Sequence, residues 1–533
     1  MATQTLTGGQ ALVRQLVQEG VEHVFGLPGD QTMHALDAFY DEPSIQFITT
    51  RHEQGTTYLA DGYARAAGRP GVAFVVPGVG VYNAGAGLAT AFAASSPVVL
   101  IAGQINRHGI GKGLGLLHEV HDQLDLVRPI TAWQRRALTA DEIPETVHEA
   151  FVRVQRGRRQ PVEIEMPPEA FSEEATVALL DRAESVRLAA DPDEITRAAE
   201  ALAAAEHPLI WAGGGVVLGD ASSELAAVAE FLQAPVVTTR QGKGAIDARH
   251  ALYAGTAWVN RRLQPLLDDA DVILAVGTHL IGNNLKAGAR VVHVDVDGDE
   301  IGRHSDAPIA VVGDAAPTLE LLLAELQRRR DPAPSRVTEV AAFRAAVDAD
   351  LRAVGPQARM VDELRAAIPD DGILLPCTTT FGYMSHMLYP VYAPRTYLST
   401  SYMGTLGWAF PAALGVKVAR PDVPVVCATG DGGFLFAATE LATAVQYGIN
   451  TITVVYNDNA YGNSNRDQRE RFGGREIGTE LRNPDFVKFA ESFGADAIRI
   501  GKGDDIGPAM REALGNSRPS VIEVPMDRLP SPF

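Results

Sequence analysis

The stretch from Gly430 to Gly462, GDGGFLFAATELATAVQYGINTITVVYNDNAYG, constrains the fold more than any other part of the chain. Val423–Thr429 (VPVVCAT) is a short β-rich run that stops at Gly430-Asp431-Gly432-Gly433. The length and composition of Phe434–Tyr447 predict a helix, and Thr451–Tyr456 (TITVVY) reads as a second buried strand. Strands joined by so short a helical crossover are parallel, with a right-handed connection. The two acidic turns, at Asp431 and Asp458, then share the carboxyl edge of one sheet, where open α/β sheets bind ligands. Two carboxylates facing one crevice repel each other unless a cation lies between them. Oxygen donors with no His or Cys close by suit a hard ion such as Mg²⁺, which completes its shell with substrate phosphates.

A chain of 533 residues is long enough for three or four domains, each with its own core. Strand-helix alternation divides it into three blocks. The first, about 1–170, has strands near Val21–Gly26, Ile45–Thr50, Gly71–Val76, Pro97–Ala102 and Pro161–Met166. Near-continuous apolar strands separated by helices indicate a parallel sheet covered on both faces. An acidic, Ala-rich stretch, Phe171–Asp193, reads as an exposed linker. The second block, about 190–327, opens with a helix near Ile195–Ala205. Strands follow at Pro208–Gly215, Ala234–Thr239, Val272–Gly277 and Val291–Asp295. Gln327–Arg336 (QRRRDPAPSR) is the clearest linker, and the third block, about 340–533, holds the Gly430–Gly462 unit. The expected class is α/β with three doubly wound parallel sheets.

The net charge of −20 leaves no basic face for nucleic acid. No apolar run reaches membrane-spanning length, and MATQTLTGGQALVRQL has no signal-peptide core, so a cytoplasmic location is expected. The two cysteines, Cys377 and Cys427, form neither a metal pattern nor a disulfide framework.

GDG followed by a helix, a strand and an N-N/D-x-x-Y-G turn resembles the diphosphate-binding motif of thiamine diphosphate (ThDP) enzymes of the acetolactate synthase, pyruvate decarboxylase and benzoylformate decarboxylase kind. The resemblance covers essentially the whole chain and implies pyrimidine-binding, central and diphosphate-binding domains in that order. It implies that Mg²⁺ is held by Asp431, Asp458 and the carbonyl of Ala460. Gly430, Gly432, Gly433, Tyr461 and Gly462 then complete the diphosphate turn. Asp458 departs from the family's usual Asn; the extra charge favours the hard cation and repels the diphosphate, and metal binding is expected to survive.

The segment RHEQGTTYLADGYARAAGRPGV, from Arg51, resembles the one that carries the family's activating glutamate, here Glu53. By itself Glu53 is equally a helix-start carboxylate capping free backbone N–H groups. The resemblance implies that it hydrogen-bonds the cofactor's aminopyrimidine and promotes loss of the thiazolium C2 proton. Met403–Ala413 is similar to the family's G-x-M/L-G segment. That match implies that Leu406 wedges between the cofactor rings and that the Gly404 carbonyl accepts from the exocyclic amine. Thr378, Thr379 and Thr380 fall where the family touches diphosphate. In this family Glu53 and Asp431 would serve one cofactor from two chains, so a homodimer or homotetramer with its site at the subunit interface is expected.

Three features bear on the substrate. Asp30 follows the Gly26–Gly29 loop, where pyruvate-decarboxylase-like enzymes have a proton-handling Asp; a plain turn is an equal reading. His118-Glu119-Val120-His121 is H-E-x-H, not the H-E-x-x-H zinc helix. It falls where acetolactate synthases place Phe-Gln and pyruvate decarboxylases a His pair, and matches neither. His118 and Glu119 are either an acid-base pair or solvated loop residues. Tyr461–Gly474 follows the metal turn and is placed to shape substrate access. Gly213-Gly214-Gly215 with Gly219 lacks the dinucleotide spacing, which excludes a redox NAD(P) reading. The Arg-Phe-Asp-Asp-Arg-like run with which acetolactate synthases hold FAD is absent from Gly277–Asn284, which speaks against FAD.

The expected function is a ThDP- and Mg²⁺-dependent enzyme like acetolactate synthase, decarboxylating a 2-oxo acid such as pyruvate and transferring the acyl carbanion to a carbonyl acceptor. Alternatives are decarboxylation to an aldehyde, 1,2-diketone cleavage or acyloin formation, and a non-catalytic scaffold, for which Glu53 would be superfluous.

Overall fold

A computed structural model describes residues 3–533. Three sheets, each entirely parallel, follow one another along the chain. The first orders its strands Gln46–Thr49, His23–Gly26, Gly71–Val75, Val98–Gly103, Val162–Met166 and Trp133–Arg136. The central sheet runs Tyr253–Thr256, Val236–Thr238, Pro208–Ala212, Val272–Val276, Arg290–Asp295 and Ile309–Val312. The third runs Ile373–Pro376, Val425–Gly430, Ile452–Asn457, Ser520–Pro525 and Asp496–Arg499. Their inner strands are buried almost throughout, as expected for parallel strands covered on both faces.

Four departures from the sequence expectations have physical causes. Three edge strands were not anticipated: Trp133–Arg136 (WQRR) is polar and half-buried, as an edge strand can be, while Tyr253–Thr256 and Ile309–Val312 are only four residues long. Part of the stretch 171–193 is not a linker: Glu174–Ala178 pairs antiparallel with Thr3–Thr7, satisfying two otherwise open edges. The helix Ala315–Arg329 continues into the expected linker, leaving Arg330–Arg336 irregular before the helix Val337–Arg352. The single helix expected over 434–447 is broken at Ala437, whose φ of −140° is not helical, into Asp431–Leu435, a turn Ala438–Glu440 and Leu441–Tyr447.

The first and third domains are joined by two helices that cross backbone to backbone. Glu53–Ala67 packs on Ala409–Ala419 with Gly62 against the Ala412 carbonyl and Gly415 against the Leu59 carbonyl, where any Cβ would overlap. The buried Trp408 Nε1 donates to Asp61 Oδ2 at 2.7 Å, so the indole N–H of this contact is paired. No helix among the described residues is long and apolar enough to cross a membrane.

Candidate active site

The strands Val425–Gly430 and Ile452–Asn457 are adjacent and parallel, with Gly430 opposite Tyr456, so both acidic turns leave the sheet side by side. Asp431 begins its short helix and is 2% exposed; Asp458 is half-buried. Burial raises the Asp431 carboxyl above its usual range. Burial, and then the Asp431 charge, push Asp458 up to about 6. A pair of carboxylates that burial and mutual repulsion disfavour as anions is one that a divalent cation would stabilise. The Ala460 N–H donates to Asp458 Oδ1 at 3.2 Å. Among the described residues no three His, Cys, Asp or Glu side chains gather around one point. The donors available here are two carboxylates and carbonyls, a set suited to Mg²⁺ with its remaining positions filled by water and phosphate.

Asn483 is a site residue that the sequence reading missed. Its Nδ2 donates to Asp431 Oδ2 at 2.6 Å and to Asn457 Oδ1 at 3.0 Å. Its segment is laced to the second acidic turn by Tyr461 N to Thr479 O (2.9 Å) and Leu481 N to Asn459 O (2.8 Å). Asn483-Pro484 offered only a generic turn signal. The Tyr461 ring lies over Gly432, and Gly462 lies against the Asp458 carboxylate. Thr379 caps the helix Thr380–Leu388, accepting from Gly382 N at 3.1 Å, with its methyl beside Gly430. Gly433 lies against the side chain of Thr429. The Gly430, Gly432, Gly433, Thr379, Asp458, Ala460, Tyr461 and Gly462 positions therefore cluster with Asp431 at these adjacent strand ends.

Glu53 opens the helix Glu53–Ala67 at the end of the strand Gln46–Thr49 and is 6% exposed. The cap is the His52 ring, whose Nδ1 accepts from Gln54 N at 3.1 Å, so the Glu53 carboxylate is left free of that duty. It accepts instead from Asn83 Nδ2 at 3.0 Å. Asn83, on the helix Val79–Ala94, carried no sequence signal. Glu53 forms no hydrogen bond to the Asp431 turn of its own chain among the described residues.

Leu406 is 43% exposed, and Gly404 before it has a φ of +63° in open space. Apolar side chains lie exposed beside both halves of the site: Met403, Leu435 and Phe436 in the third domain, Val79, Tyr82 and Leu117 in the first.

The Asp30 turn and the His118 loop meet. Gln31 Nε2 donates to the Leu117 carbonyl at 3.1 Å, and Gln31 Oε1 lies 3.2 Å from His118 Nδ1. Asp30 itself is exposed. Glu119 is engaged elsewhere: its carboxylate accepts the N–H groups of Leu114 (3.1 Å) and Leu116 (2.9 Å), which hold it below the usual carboxylate range. It braces its own loop and does not pair with His118. The loop is rooted by Gln123, which accepts from Gly78 N at 2.8 Å and donates to the Gly103 carbonyl at 3.0 Å and Glu165 at 2.6 Å.

At the carboxyl edge of the central sheet a cavity is lined by Gly214, Gly215, Arg240 and Asp295. His279, in the segment Gly277–Asn284, binds Glu300 at 2.6 Å, and Arg158 of the first domain reaches the same carboxylate at 2.6 Å.

Three family models described as thiamine pyrophosphate (ThDP) enzyme match in order along the chain: the N-terminal TPP binding domain over 6–127, the central domain over 195–322 and the C-terminal TPP binding domain over 378–524. The chain belongs to the thiamine diphosphate enzymes. It is 35% identical to a "Probable 2-ketoarginine decarboxylase" of Pseudomonas aeruginosa, over 98% of this chain and 94% of that one. It is 34% identical to a "Probable acetolactate synthase large subunit" of Methanocaldococcus jannaschii, covering 98% and 92%. It is 30% identical to "Acetolactate synthase isozyme 3 large subunit" of Escherichia coli, covering 98% and 95%. The protein is thus a ThDP-dependent carboligase or decarboxylase.

Proposed function

We propose that this ThDP enzyme decarboxylates a 2-oxo acid such as pyruvate and transfers the acyl group to a carbonyl acceptor, in the manner of an acetolactate synthase. The observation that carries the reading is the existence of two complementary half-sites. Glu53 is buried and oriented by Asn83 at a strand end of the first sheet, and Asp431 lies beside Asp458 at adjacent strand ends of the third. The acetolactate synthases among its relatives support the same reaction.

In this reading Asp431, Asp458 and the Ala460 carbonyl hold Mg²⁺. The glycines of the GDGG turn, with Thr379, Thr380, Tyr461 and Gly462, receive the diphosphate. Leu406 would prop the two rings of the cofactor and the Gly404 carbonyl would accept from its exocyclic amine. Glu53 would hold a proton toward the aminopyrimidine ring. The bound cofactor supplies a thiazolium that stabilises the acyl carbanion left by decarboxylation. The exposed apolar side chains beside each half-site are the surface a second copy of the chain would cover, which supports a site assembled from two chains. Domain limits of 1–170, 190–327 and 340–533 and a cytoplasmic location, with Cys377 and Cys427 as buried free thiols, complete the proposal. FAD is left out of it, because the charged run expected to hold flavin is missing.

A second reading, release of an aldehyde, is supported by the contact of His118 with Gln31, the chain neighbour of Asp30. The 2-ketoarginine decarboxylase relative points the same way. Product analysis with ThDP, Mg²⁺ and in turn pyruvate, 2-ketoarginine and diacetyl tests both. Acetolactate from pyruvate is expected; an aldehyde alone would favour the second reading, and no product from any of them would overturn both.

A further inference from the structure

Glu440 is a buried carboxylate of the Gly430–Gly462 unit for which the cofactor reading has no use. It closes the turn Ala438–Glu440 and is shielded from solvent. Burial holds its carboxyl above the usual range. Its partners lie in the first domain. Oε1 accepts the backbone N–H of Arg51 at 3.0 Å and of His52 at 3.1 Å, while Oε2 accepts from Thr443 Oγ1 at 2.6 Å. Those N–H groups stand immediately before Glu53, at a helix start where donors lack intrahelical partners. Gly55, one turn on, leaves room for the carboxylate: a Cβ there would lie 2.4 Å from Glu440 Oε1. The helix Leu441–Tyr447 that follows reinforces the grip, since the Tyr447 hydroxyl accepts from Thr49 N at 2.9 Å and Gln446 Oε1 accepts from Arg51 Nη2 at 2.6 Å.

We propose that Glu440 is a positioning residue for Glu53. It clamps the backbone of Arg51 and His52, so that the carboxylate emerges from a fixed helix start, and it ties the Glu53 segment to the Asp431 segment of the same chain. The break in the helix at Ala437 is what turns Glu440 toward the first domain. The consequence for turnover rests on the proposed role of Glu53; the clamp itself does not.

The test compares Glu440→Ala, Glu440→Gln and Gly55→Ala in the full-length protein by amide hydrogen exchange, with and without ThDP and Mg²⁺, and by steady-state kinetics. In Glu440→Ala, exchange is expected to quicken at Arg51–Gln54 only. Its kcat should fall about tenfold or more, with KM and ThDP affinity within about twofold, since small misplacements of a reacting group are costly. Glu440→Gln should restore both readouts, because the amide oxygen still accepts the two N–H groups. Gly55→Ala should reproduce the Ala variant by displacing the carboxylate, and it decides the matter where Glu440→Ala does not fold. Unchanged exchange at Arg51–Gln54 would overturn the proposal. So would a general rise in exchange with loss of ThDP binding, which would mark Glu440 as merely structural. Where wild type turns over none of the 2-oxo acids, the functional reading fails and the exchange result still decides the clamp.

Discussion

The cofactor half-sites and the substrate loop are built in opposite ways. Glu53 and Asp431 are 6% and 2% exposed, stand at strand or helix ends, and have their orientation set by Asn83 and Asn483. The loop that carries His118 is tied to the first domain by Gln31 and Gln123 and braced within itself by Glu119. Its tip has Gly111, Gly113 and Gly115 at positive φ in open space, with Leu114 and Leu117 exposed. A buried, doubly determined carboxylate tolerates little change without loss of packing or pairing. An open loop tip can exchange residues at small cost to the fold. In the proposed reading, cofactor use is written into burial and spacing, and substrate choice into the content of a loop.

Substitutions on the two sides should separate accordingly. Glu53→Gln is expected to lower turnover on the order of 10²–10⁴-fold, the range for removing a proton-transfer group, with ThDP binding kept. Unchanged turnover measured by product release would place the chemistry elsewhere. Asn483→Ala should weaken Mg²⁺-dependent ThDP affinity about 10–100-fold, the usual effect of losing a group that orients a metal ligand. Fluorescence titration showing wild-type affinity would mean that Asp431 needs no such support. His118→Phe should have the smallest effect: a shift of about tenfold or less, ~1.4 kcal/mol, in the ratio of aldehyde to ligated product, with cofactor affinity unchanged. A loss of ThDP binding in that variant would erase the distinction between the two regions.

The parallel βαβ unit at Gly430–Gly462 was legible because spacing, glycines and two acidic turns coincide in one short stretch. Glu53 was legible through its helix-start setting and its resemblance to the family segment. Asn83, Asn483 and Glu440 were not, because each acts through a contact distant in sequence: 30 residues separate Asn83 from Glu53, and 52 separate Asn483 from Asp431. Ordinary polar residues on helices and loops carry no periodicity that marks such a partner. Glu119 shows the converse. Next to His118 it read either as half of an acid-base pair or as a solvated loop residue; its carboxylate accepts from the N–H groups of its own loop, a local competition that the residue letters do not display. The broken helix over 434–447 was hidden for a related reason, since the composition is helical throughout and the turn at Ala437 serves a tertiary contact.

The most direct test of the central claim is a calorimetric titration of ThDP, in the presence of Mg²⁺, into the wild-type protein and Asp431→Ala. The account predicts Mg²⁺-dependent binding to the wild type and a loss of more than roughly 100-fold in the variant, since a metal ligand should matter more than the groups that orient it. Binding of equal affinity to both proteins would contradict it.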